Sequence, residues 1–106
     1  MREHRLLRRE LKRCGLLHLA QRQRVRTVTI SRLLQQYNAR SIGDLALDCE
    51  GHDCEILNGL IEVCDSSPFL CPNWIWFESN SMNDDLFGRG MGEQTVQKLL
   101  DHGYAT

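Results

Sequence analysis

A chain of 106 residues with 42% hydrophobic and 25% charged positions suits one small globular domain, and excludes low-complexity disorder and a membrane-embedded body. The net charge of −1 hides an asymmetry: Arg2, Arg5, Arg8, Arg9, Lys12, Arg13, Arg22, Arg24 and Arg26 crowd the first quarter against Glu3 and Glu10, and the remainder is acidic. No aromatic residue interleaves with those cations to stack on bases, so they read as a solvated helix face rather than a nucleic-acid arm.

The first predicted element is a basic helix over residues 2–14, with Leu7, Leu11 and Cys14 on one stripe to pack on the domain and Gly15 as its stop. A further turn is expected over residues 16–20. Residues 25–30 are rich in β-branched side chains and predict a short strand. Ser31 is then placed to cap a helix that carries Leu33, Leu34 and Tyr37 and ends near Asn38. The apolar run Leu45-Ala46-Leu47 predicts a buried strand over residues 45–49 with Asp48 at its exit. Gly51-His52-Asp53 is a tight turn, with Asp53 able to cap the helix that follows. Ile56, Leu57, Leu60, Ile61 and Cys64 give that helix one apolar face, and Ser66-Ser67-Pro68 ends it.

Trp74-Ile75-Trp76-Phe77 has no polar alternation, which predicts a strand covered on both faces with its aromatics in the core. Strand, helix and strand in this order predict a βαβ unit, a parallel pairing of residues 45–49 with 74–78, and a right-handed crossover. Residues 79–92 are polar and glycine-rich and read as a mobile loop. A last helix carries Val96, Leu99 and Leu100 with Gly103 just past its end, and residues 104–106 open another strand.

Cys14, Cys49, Cys54, Cys64 and Cys71 form no C-x-x-C pair, and no apolar leader precedes them. Free thiols in a reduced, cytoplasmic setting are the expectation, with buried cysteine behaving as a small hydrophobe. No run of apolar residues is long enough for a membrane span.

Ligands of parallel α/β sheets bind beyond the carboxyl ends of the strands. Asp48 and Glu50 stand at one such exit and Glu78 and Asn80 at the other, so four polar groups converge on one rim. Strand-end carboxylates serve equally as site residues and as caps of helices or turns. His52 is open to two readings, a general base or a turn histidine bonded to a carboxylate. Gly51 reads as backbone geometry. Gly88, Gly90 and Gly92 mimic a phosphate-cradling rhythm but follow no strand and lack the lysine or serine of a P-loop.

The run from Leu45 to Gly59, an apolar strand ending in Asp48-Cys49-Glu50-Gly51 and followed by a helix with Leu57-Asn58-Gly59, resembles the strand-to-helix signature of FkbM-type methyltransferases. Val28-Thr29-Ile30-Ser31-Arg32-Leu33-Leu34 upstream and Ile75-Trp76-Phe77-Glu78 with Gly103-Tyr104 downstream extend the resemblance over residues 25–104. It implies an α/β fold: a partial class I methyltransferase (Rossmann-like) parallel sheet with flanking helices. By this analogy residues 25–106 are the C-terminal half of the domain, holding the fourth and fifth strands, and residues 1–24 are a separate basic helical segment. It also implies S-adenosylmethionine as cofactor and methyl transfer to a hydroxyl of a small molecule or sugar. Catalysis would then rest on Asp48, Glu50 and His52, with Asp48 or His52 as base, and substrate contacts on Glu78 and Asn80.

Ser31 and Ala46 depart from the aspartate and lysine usual in the family, and no glycine-rich cofactor loop stands upstream. The chain alone is therefore expected to be inactive. Two rival readings are a non-catalytic module that pairs or self-associates through an exposed sheet edge, and a small metal-binding protein using Asp48, Glu50, His52 and Glu78.

Overall fold

A computed structural model describes residues 2–79 and 81–106, with side chains from residue 5 onward. The chain runs α1 (Arg2–Arg13), a 3-10 turn (Leu17–Leu19), α2 (Ile30–Gln36), β1 (Asp44–Ala46), α3 (Asp53–Ser66), a second 3-10 turn (Pro68–Leu70), β2 (Trp74–Trp76), α4 (Ser81–Phe87) and α5 (Met91–Asp101).

β1 and β2 pair in parallel, with Asp44 opposite Trp74, Leu45 opposite Ile75 and Ala46 opposite Trp76. α3 makes the crossover between them, as the two apolar runs require. The ladder is shorter than residues 45–49 and 74–78, although the Leu47 N–H still donates to the Trp76 carbonyl at 2.9 Å. Side chains alternate across a strand. Leu45, Leu47, Ile75 and Phe77 therefore lie toward the core, which centres on Leu57, Leu60 and Cys64 of α3 and Leu99 of α5, with Ile30 and Leu34 of α2 against it.

Several expectations are corrected. Trp74 and Trp76 are 75% and 68% exposed rather than core aromatics, because they point to the face of the two-stranded sheet opposite α3, on which no described element packs. Residues 25–29 form no strand: no neighbouring segment supplies a ladder, and the Thr29 hydroxyl, not Ser31, caps α2 by accepting the Arg32 N–H at 3.2 Å. α1 stops before Gly15 as expected (φ +72°), but its leucines do not pack on the domain. Leu6 and Leu7 are exposed, and α1 packs chiefly on the short turn after it.

The stretch over residues 79–92 is not a loop throughout, since α4 forms there and packs against α3 and α5. Residues 104–106 pair with no strand; the Tyr104 hydroxyl instead donates to the Pro72 carbonyl at 2.6 Å, tying the end of α5 to the entry of β2. Cys64 and Cys71 are joined as a disulfide rather than free, while Cys14, Cys49 and Cys54 are thiols. Among the described residues no helix is long and apolar enough to cross a membrane.

Candidate functional site

The two strand exits are held together by one buried side chain. Asp53, 1% exposed, accepts the Cys49 N–H on Oδ1 at 2.7 Å and the Glu78 N–H on Oδ2 at 3.1 Å. A single carboxylate thus spans the backbone just beyond β1 and β2, where parallel strands leave amides unpaired. Its seat in the first turn of α3 adds the favourable field of a helix N-terminus. Asp53 is therefore a bridge between strands, not the simple helix cap expected from the turn.

Asn83 of α4 completes the clasp. Fully buried, it accepts the Cys54 N–H on Oδ1 and donates from Nδ2 to the Glu78 carbonyl, both at 3.1 Å. Both backbone groups of Glu78 are thereby fixed, one by α3 and one by α4. The close approach of α4 depends on Gly51 (φ +97°): a Cβ there would stand 2.7 Å from Leu86 Cδ1 and 3.0 Å from the Met82 carbonyl oxygen. Glu50 beside it also has a positive φ, +48°, so the chain turns sharply from strand to helix.

On this frame the side chains of Asp48, Glu50 and Glu78 are all exposed, at adjacent strand exits. Asn80 lies outside the described residues. His52 is exposed as well, and its ring stands edge-on to Phe87 with centroids 5.4 Å apart. Among the described residues no three His, Cys, Asp or Glu side chains are grouped to hold a metal ion. Burial pushes the Cys54 thiol up, the opposite of what a nucleophilic cysteine needs.

The glycine rhythm before α5 is occupied from within. Asp84 accepts the Gly92 N–H on Oδ1 at 2.9 Å and the Gly90 N–H on Oδ2 at 3.0 Å, and these backbone donors hold its carboxyl below the ordinary aspartate value. Those amides are thus already matched to an internal anion. A hollow of about 660 Å³ lies between α2 and the end of α3, lined by Ser31, Leu34, Asn38, Arg40, Val63 and Ser67. It is separate from the strand-exit rim.

Asp53 and Asn83 are the structural keys that residue patterns missed. Asp53 carried a signal, an aspartate directly after a strand-to-helix turn. Asn83 carried none, since its partners are distant in sequence.

This is a parallel strand pair with its crossover helix and with polar residues gathered at its carboxyl ends, the end at which open α/β sheets in general bind ligands. A family model described as methyltransferase FkbM domain matches residues 4–105, α1 included, and the chain belongs to that family. No curated protein and no solved structure matches it.

Proposed function

We propose that this chain contributes the acceptor side of a methyl-transfer site in a class I, Rossmann-like FkbM methyltransferase domain, as its C-terminal half, with residues 1–24 forming a separate basic segment. The reaction is methyl transfer from S-adenosylmethionine to a hydroxyl of a small molecule or sugar. The observation that carries this reading is the clasp of Asp53 and Asn83, which sets the exits of β1 and β2 side by side under Asp48, Glu50 and Glu78. Asp48 and Glu50 line the cleft, Asp48 or His52 accepts the hydroxyl proton, and Glu78 with Asn80 contacts the acceptor.

The described residues do not by themselves fit the cofactor. The amides of Gly90 and Gly92 are engaged by Asp84, and the buried carboxylate of Asp53 is engaged by two backbone amides. A sulfonium, a ribose and an adenine need a glycine turn and acceptors at the ends of further strands. Titration of the purified chain with labelled S-adenosylmethionine should accordingly show no saturable micromolar binding. Adding a polypeptide that supplies a glycine-rich strand-turn-helix should create it, after which Asp48→Ala should lower turnover more than His52→Ala. Saturable binding by the chain alone refutes the division of labour; a complemented protein that binds but is indifferent to Asp48→Ala refutes the site.

A second reading, a non-catalytic module that binds through its sheet, is favoured by the two-stranded ladder, in which each strand keeps one unpaired edge among the described residues.

A further inference from the structure

Two surfaces of this molecule lack a counterpart at the same time. One is the sheet face opposite α3, where Trp74 and Trp76 stand exposed beside Asp44 and Ala46, their partners in the ladder. Parallel strands are ordinarily covered on both faces. The other is the arm before α2. Leu7 and Leu11 lie one turn apart on α1, Leu7 is 60% exposed, and the link over residues 20–29 is solvent-exposed throughout.

The two surfaces are complementary in charge. Residues 1–26 carry nine Lys and Arg against Glu3 and Glu10, a net +7; residues 27–106 carry four against twelve Asp and Glu, a net −8, which together give the chain's −1. Of these acids, Asp44 lies on the tryptophan face, and Asp48, Glu50 and Glu78 fringe its carboxyl edge, all exposed. Leucines meeting tryptophan rings, with arginines reaching the rings and the flanking carboxylates, satisfy both sides. α1, about 18 Å long, is long enough to cross the face and reach that edge.

The arm is held off its own body. The radius of gyration is 16.6 Å, against about 13 Å for a compact domain of this length. A projecting helix on an exposed link is the geometry from which identical elements are exchanged between copies. We propose that two copies of this chain exchange arms, α1 of each covering the tryptophan face of the other.

Trp74 and Trp76 are the chain's two tryptophans, so emission reports the face directly. Sedimentation equilibrium and tryptophan emission of the full chain should show a dimer with blue-shifted emission in about 0.1 M NaCl, and a dissociation constant at least about tenfold weaker in 1 M NaCl. Leu7→Glu with Leu11→Glu should give a monomer with red-shifted emission and unchanged circular dichroism from the body. Trp74→Ser with Trp76→Ser should also give a monomer. Mixing the two variants should restore a heterodimer in which the arm-defective copy, the one with tryptophans, turns blue.

A wild-type monomer with red emission overturns the proposal, whether or not it binds vesicles of phosphatidylserine and phosphatidylcholine through its basic arm. So does a dimer that survives the leucine changes, which would be held by stacked faces or paired edges. A monomer with blue emission also overturns it, since the arm would then cover its own sheet.

Discussion

Replacing Asp53 by alanine removes the only side chain that reaches both strand exits among the described residues. Two N–H groups, of Cys49 and Glu78, then lose a charged acceptor at 2.7 and 3.1 Å. A hydrogen bond to a charged group contributes about 1.5–3 kcal/mol net. Both bonds are only part-buried, so water can replace some of what is lost and the lower end applies, giving about 3–4 kcal/mol for the pair. Against the roughly 5–15 kcal/mol that holds a domain of this size, that is a large share.

The midpoint of thermal unfolding should fall by roughly 12–32 °C, taking about 4–8 °C per kcal/mol for a domain near this length. Asp53→Asn separates the two bonds. Its amide keeps an oxygen for the Cys49 N–H but turns an NH2 toward the Glu78 N–H, so about half the loss is expected. Urea denaturation of the three proteins measures the energies, and amide exchange locates them, with the Cys49 and Glu78 amides losing protection first. A cost below about 1 kcal/mol for Asp53→Ala, with both amides still protected, would refute the idea that this carboxylate sets the spacing of the exits.

Three further outcomes are expected. Gly51→Ala combines a positive φ, costing about 1–2 kcal/mol, with contact against α4, costing about 1–3 kcal/mol, so denaturation should show a loss of about 2–5 kcal/mol. Adding Leu86→Ala should restore only part of it, because the Met82 carbonyl is backbone. Asp84 has its carboxyl held below the ordinary value by the Gly92 and Gly90 amides, so its contribution is present above the unfolded value near pH 3.9 and fades as pH falls through the folded value. Asp84→Asn should therefore melt lower than the parent at pH 7, and the gap should close in melts recorded at progressively more acid pH. Leu57→Ala, at a fully buried position of the core cluster, should cost about 2–5 kcal/mol by urea denaturation.

The amino-acid sequence by itself determined what depends on local pattern. The apolar stripe of α3, its stop at Ser66-Ser67-Pro68, the end of α5 before Gly103 (φ +96°) and the parallel pairing of β1 with β2 are all legible from residue spacing, because each follows from side-chain period or backbone freedom at one place. The motif around Asp48-Cys49-Glu50-Gly51 likewise pointed to the family. The tertiary structure alone decided what depends on partners distant along the chain. Val28 to Ile30 had strand chemistry but no neighbouring strand to pair with, and Thr29 made a helix cap instead. Trp74 and Trp76 had core chemistry but faced the uncovered side of a two-stranded sheet. Residues 81–87 lacked a strong helical pattern, yet formed α4 where Asn83 could reach the Cys54 amide and the Glu78 carbonyl. Local pattern states what a segment can bury; which groups it meets, and hence whether it is buried at all, is settled only when the rest of the chain is in place.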